Sequence, residues 1–386
     1  MHCIRNVINI FLCAVISFST ITWAEDKHSF RTSPVLNDGK HWRVGYYEGG
    51  EYTDYQKEFT ATINGLMKLG WIELQTIPEQ PGERTDLLWK WLSTQIKSDY
   101  IEFVPDAYYS AGWDEELRKQ SATEVIDRLK NKQDIDLMIA MGTWAGKDLA
   151  NDRHTTPTLV LSASDPLAAG IIKSVEDSGY SHLHAAIDLD RFYRQVKLFH
   201  ELVGFENLGV AFENSASGRS YAAIDSIEIL SKERGFDIIP CYTQSDISEK
   251  AIAEASVISC FELLAKSAEA IYVTNQGGVT YNSIPKLAEI ANKHRIPTFS
   301  QSGAEEVKYG FLLSLSRAAF RYLGDFHALT MAKVFNGAKP RQLAQLFEEP
   351  PKVAVNLKTA KIIGFNPPLL LLGAADEIYH EIHSSK

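Results

Sequence analysis

Ala270-Ile271-Tyr272-Val273, then the polar loop Thr274-Asn275-Gln276-Gly277-Gly278, then a run with Ile284, Leu287, Ala288 and Ala291 recurring at helical spacing, then Ile296-Pro297-Thr298-Phe299, form the stretch that decides the fold. A short apolar run bounded by Gly or Pro predicts a strand, and the 3.6-residue recurrence predicts a helix packed on one face, so the stretch is a β-α-β unit. Working outward, Leu208 to Phe212 and Phe236 to Ile239 read as earlier strands of the same series. A first series precedes it, with strands at Trp42 to Tyr47, Ile101 to Val104, Leu137 to Met141 and Thr158 to Ala163. Between the two, Leu189, Phe192, Val196, Phe199 and Leu202 share a helical face, with Asp188 as the N-cap. Strands alternating with helices predict an α/β fold, and two successive series predict two doubly wound parallel-sheet lobes.

The 386 residues are enough for two or three domains, and 45% hydrophobic residues is ordinary for a globular chain. A formal net charge of -10 with no basic cluster excludes a nucleic-acid surface, which must neutralise phosphates. At the N-terminus, Arg5, the apolar run Val7 to Ile21 and Thr22-Trp23-Ala24 read as a secretory signal peptide, residues 1–24, with cleavage after Ala24. A flexible leader, residues 25–41, follows. Cys13 lies in the middle of the apolar run after Phe11-Leu12, which suits the body of a signal peptide rather than a lipid-accepting site. Of the remaining cysteines, Cys241 and Cys260 form either one bridge or two separately buried thiols. No later run reaches membrane-spanning length, so a soluble, monomeric product in the periplasm or another extracytoplasmic space is expected.

Parallel α/β sheets take ligands outside the carboxyl ends of their strands, which directs attention to the loops after each strand. These loops offer Tyr47 and Glu48, then Gly142, Thr143 and Trp144, then Ser164 and Asp165 from the first series. The second series offers Asn214 and Arg219, then Asn275 and Gln276, then Ser302. Trp144 and Tyr47 suit flat apolar walls, Arg219 a bidentate carboxylate clamp, and Thr143, Ser164 and Asn275 neutral hydrogen bonds. Asp165 precedes Pro166 and also fits a helix N-cap. No Gly-x-Ser-x-Gly elbow, His-Glu-x-x-His helix, phosphate-binding Gly-Lys-Ser/Thr loop or Gly-x-Gly-x-x-Gly fingerprint occurs, so neither an enzyme nor a cofactor or metal site is expected.

Several stretches in order carry a family resemblance: Gly65-Leu66-Met67-Lys68-Leu69-Gly70-Trp71, Gly142-Thr143-Trp144-Ala145, Ser164-Asp165-Pro166-Leu167-Ala168-Ala169-Gly170 and Ala270-Ile271-Tyr272-Val273. Lys308-Tyr309-Gly310, Phe335-Asn336-Gly337-Ala338-Lys339-Pro340, Asn356-Leu357-Lys358-Thr359-Ala360 and Pro367-Pro368 before Ala375-Asp376-Glu377 continue it. The chain resembles the ABC-transporter substrate-binding family related to tryptophan- and tyrosine-binding lipoproteins, of the type I periplasmic binding protein fold. The resemblance implies capture of a small molecule between two lobes by hinge closure, with an ABC permease, or a receptor or sensor kinase, as partner. It implies three crossings between lobes, near Asp188, near Ser302 and near Phe347 to Pro350. The lobes are then residues 42–187 plus 303–347 and residues 188–302 plus 348–386.

Two departures from that pattern shape the expectation. Residues 78–112 are longer than the family needs, and Leu87, Leu88, Trp89, Trp91, Leu92 and Ile96 suit an extra amphipathic helix on the first lobe. Gln276 stands where amino-acid-binding relatives tend to offer an aspartate, and a neutral amide pairs weakly with an ammonium group. With Arg219 as a fixed cation, the expected ligand is an aromatic molecule bearing a carboxylate and no amine. Glu48, Glu51 and Glu213 are the alternative sources of negative charge.

Overall fold

The computed structural model describes residues 29–316, 320–348 and 352–383; the signal-peptide reading lies outside them. Through the first series the chain runs β1 (Trp42–Glu48), α1 (Thr53–Lys68), α2 (Thr85–Gln95), β2 (Ile101–Ser110), α3 (Glu115–Asp127), β3 (Leu137–Met141), α4 (Gly142–Leu149), β4 (Thr158–Leu161) and β5 (Leu183–Ala185). These strands form a parallel sheet in the order β2-β1-β3-β4-β5. The second series runs α5 (Arg191–Val203), β6 (Asn207–Phe212), α6 (Ala216–Tyr221), α7 (Ile224–Arg234), β7 (Asp237–Tyr242), α8 (Lys250–Leu264), β8 (Ala270–Val273), α9 (Ile284–Lys293), β9 (Thr298–Ser300), α10 (Ala304–Lys308) and β10 (Leu313–Ser316). After it come α11 (Arg321–Phe335), β11 (Lys352–Asn356), α12 (Leu357–Ile363), α13 (Leu369–Ala374) and β12 (Ala375–Tyr379). The second sheet has the order β12-β11-β10-β9-β8-β6-β7, parallel except where β10 meets β11.

Burial explains why the strands read as continuous apolar runs. Every residue of β3, β4 and β8 is buried, as expected of parallel sheets covered on both faces. The alternation of strand and helix thus gave the right class. The second crossing is corrected: the chain does not leave the second sheet at Ser302, because β10 continues that sheet between β9 and β11. After β10 the described chain is back on the first lobe, where α11 packs against α1. The first and third crossings run side by side, with Ile187 donating its N–H to the Gln345 carbonyl and accepting from Phe347 N–H.

The residues before β1 are tied to the first lobe where the sequence reading expects flexibility. Phe30 packs on the core, the Trp71 indole donates to the Thr32 carbonyl at 2.9 Å and the Trp42 indole to the Val35 carbonyl at 2.8 Å. In the second lobe Cys241 and Cys260 are joined in a disulfide linking β7 to α8, which resolves the two readings of that pair in favour of the bridge. His182 and His184 are both buried, with ring nitrogens against the carbonyls of Leu149 and Ala344.

The long segment 78–112 holds the extra helix. Leu88, Trp89 and Leu92 of α2 are buried in the same core as Tyr46, Phe59 and Phe103, and the Trp89 indole donates to the Val104 carbonyl at 3.2 Å. Replacing Trp89 with Ala is expected to remove about 3 to 5 kcal/mol of stability in denaturant unfolding, the scale of a large core truncation. A change below about 1 kcal/mol would show that α2 is a detachable appendage.

Candidate functional site

The carboxyl ends of the two sheets face a shared cleft. Tyr52 and Tyr55 reach it from the start of α1, Trp113 from the loop after β2, Thr143 and Trp144 from the first turn of α4, and Ser162 and Ser164 from the loop after β4. From the second lobe come Tyr221 at the end of α6, Ser245 and Asp246 after β7, and Asn275, Gln276 and Gly277 after β8. Two local features of the chain make this possible. Gly142 opens α4 with φ +84, and a Cβ there would lie 1.8 Å from the Tyr55 hydroxyl, so only glycine lets that tyrosine lie against the helix start. A Cβ on Gly50 would lie 2.5 Å from Trp113, so the loop after β1 is bare where the indole covers it.

Trp144 is 3% exposed and spans the two lobes. Its indole N–H donates to Asp246 Oδ2 at 3.0 Å, and Trp113 meets it edge-on at 5.3 Å between ring centroids. The Arg118 guanidinium lies 4.4 Å from the Trp144 ring centroid and is forked onto Asp148, which also accepts from the Tyr47 hydroxyl at 2.8 Å. Tyr47 is therefore fully buried beneath the wall, holding the arginine that backs Trp144, and is not itself a wall of the cleft.

Asp246 carries the charge of the site. It is half-buried and lines the cleft, and its carboxylate accepts from Trp144 and from the Tyr221 hydroxyl at 2.7 Å. Burial, and then the nearby Glu213 charge, push its pKa up to about 6 against the pull of the hydrogen bonds from Tyr221, Trp144 and Ser245. Glu213 fixes the loop from below by accepting the backbone N–H groups of Ser245 at 2.7 Å and Asp246 at 2.9 Å.

Several residues expected at the site lie elsewhere. Arg219 is turned to Glu228 at 2.8 Å and Asp225 at 3.6 Å and does not line the cleft, and Asn214 is exposed outside the cavity. Glu48 is buried in the first lobe, where it accepts from Tyr46, Tyr108 and Ser110 and burial pushes its pKa up to about 7. Gln276 borders the cleft with its amide fully engaged: it donates to Ala211 O and Thr274 Oγ1 and accepts from Thr243 Oγ1. Asp165 accepts the N–H groups of Leu167 and Ala168 as a cap, and its carbonyl takes a bond from Ser220 across the lobes. Ser302 donates to Asn275 at 2.5 Å and faces a neighbouring inter-lobe cavity. Asp246 escaped the sequence reading because the strand before it was ended at Ile239. Pro240 has no N–H to donate, but β7 is an edge strand and tolerates it.

A family model described as "ABC transporter substrate binding protein" matches residues 112–378. The chain belongs to that family. A tyrosine-binding protein of Clostridioides difficile (strain R20291) is 22% identical over 212 residues, 53% of this chain and 58% of the relative, so the match spans less than two thirds of that protein. Among solved structures, an ABC domain in complex with L-Trp from Streptococcus pneumoniae aligns with a TM-score of 0.68 at 16% identity, covering 88% of this chain and 100% of that one. A conserved domain protein from Vibrio cholerae aligns with a TM-score of 0.67 at 19% identity over the same shares. At these identities the two structures show the common two-lobed α/β fold.

Trp144→Phe keeps a ring and deletes one donor to Asp246. The Asp246 carboxyl is expected to titrate above about 6 in this variant, followed by carbon-detected NMR of the side chain. An unchanged titration would mean that the indole does not hold the carboxylate in solution.

Proposed function

We propose that this protein captures a small aromatic molecule bearing a protonated amine, closes its two lobes over it, and presents the closed form to an ABC permease on the extracytoplasmic side of a membrane. The observation that carries the reading is Asp246, a carboxylate at the junction of the lobes with Tyr52, Tyr55, Trp113, Trp144 and Tyr221 lining the same cleft. A carboxylate held out of bulk water favours a cationic partner, and aromatic faces favour both a flat body and a cation. The charge expectation drawn from Gln276 and Arg219 is thereby reversed. The tyrosine and L-Trp named with two relatives share this chemistry, an aromatic ring and an ammonium group.

Contacts already join the lobes around the cleft: Lys250 to Glu83 at 2.5 Å, Lys57 to the Tyr281 hydroxyl at 2.9 Å and Ser220 to the Asp165 carbonyl at 3.2 Å. These suit a closed state that a ligand selects by touching both lobes at once. The N-terminal signal reading and the family support export, with the monomeric form as the simplest unit of delivery.

Calorimetry with L-tryptophan and L-tyrosine, each against its deaminated acid, tests the role of the amine. The amine-bearing members should bind, and Asp246→Asn should weaken them by about 2 kcal/mol or more, the scale of losing one partner of a desolvated charge pair. Ligand binding favours the ionised carboxylate, so affinity should be full above pH 7 and fall as the pH drops through about 6. Tighter binding of the deaminated acids would overturn the assignment.

A further inference from the structure

We infer that the cleft prefers a net monocation, an aromatic amine without a carboxylate, over the zwitterionic amino acid of the same ring; this rests on the amine-binding reading above. None of the thirteen residues lining the cleft is Lys, Arg or His, and Asp246 is its one formally charged side chain. Three cations on neighbouring elements are engaged elsewhere. Arg118 covers Trp144 while forked onto Asp148, Lys57 is bonded to Tyr281, and Lys250 reaches Glu83.

Several backbone donors beside the cleft are also engaged within the protein on both lobes. Ser162 N–H is bonded to Glu58 Oε1 at 2.9 Å, a carboxylate that His327 also meets at 3.0 Å. Ser245 N–H and Asp246 N–H are taken by Glu213, Asn275 N–H by the Gln301 side-chain oxygen at 2.9 Å, and Gly277 N–H by Ser245 Oγ at 2.8 Å. Four side-chain donors follow the same pattern. Trp144 and Tyr221 point theirs at Asp246, Trp113 donates to the Glu51 carbonyl at 2.9 Å, and the Gln276 amide donates into its own lobe.

The Glu213 carboxylate stands directly behind the Ser245–Asp246 loop that a ligand carboxylate would approach, adding repulsion to the engaged donors. What remains for such a group is hydroxyls and the first turn of α4. An ammonium, by contrast, finds the outer lone pairs of Asp246 and the surrounding rings.

Calorimetry of the wild-type protein at pH 7.5 with two matched pairs, tryptamine against L-tryptophan and tyramine against L-tyrosine, decides the question. The amine of at least one pair is expected to bind about tenfold or more tightly than its amino acid, the scale of an unpaired buried charge. Equal or tighter binding of both amino acids would overturn the preference while leaving the amine-binding function standing, since every ligand in the set carries an ammonium. Binding by none of the four would overturn both.

Discussion

Keeping one carboxylate at the meeting point of two lobes is the constraint around which the cleft is arranged. A buried anion must be hydrogen-bonded or neutralised, and Asp246 draws its donors from both sides: Trp144 from the first lobe, Tyr221 from the second. Those two bonds fix the positions of two rings, and the rings fix the shape of the cavity. Glu213 adds a second negative charge beneath the same loop while immobilising its backbone. The combination of burial and the Glu213 charge raises the proton affinity of Asp246.

The remaining contacts between the lobes are of a different kind. Lys250 is 43% exposed where it meets Glu83, and such rim pairs contribute about 0 to 1 kcal/mol each, screened further by salt. A set of weak rim contacts cannot hold two lobes shut alone, whereas a ligand that touches Asp246 and both aromatic walls acts on the whole equilibrium. The rim contacts between the lobes are thus weak, and the part-buried Trp144–Asp246 bond is the strong one that joins them at the cleft.

The sequence disclosed the fold more readily than the cleft, for a physical reason. Buried parallel strands leave apolar runs that are visible without tertiary knowledge, which is why the strands at Leu137, Thr158, Leu208 and Ala270 could be read directly. β10 was missed because Leu313–Ser316 alternates apolar and polar residues over only four positions after the Lys308-Tyr309-Gly310 turn. Trp144, Thr143, Ser164 and Asn275 were legible because they follow strands. Arg219 and Tyr47 were misplaced because their partners, Glu228 and Asp148, are brought to them by packing. Tyr46 and Tyr47 point to opposite faces of β1 and are both buried, so alternation along that strand carries no sign of which face meets the ligand.

The added segment between α1 and β2 ties these levels together. Its helix α2 is anchored in the first core through Trp89, stacked on Phe59 and tilted against Tyr46, and the long β2 that follows runs beside β1 as far as Ser110. That length carries the chain to Trp113, whose N–H donates to the Gly49 carbonyl and whose ring covers Gly50. Trp113 then meets Trp144 edge-on, and Glu83 from the same segment reaches Lys250 across the rim. A stretch that reads from its apolar spacing as a core element thus also furnishes, through Glu83, one clasp of the cleft, and the strand that follows it leads to the aromatic wall at Trp113.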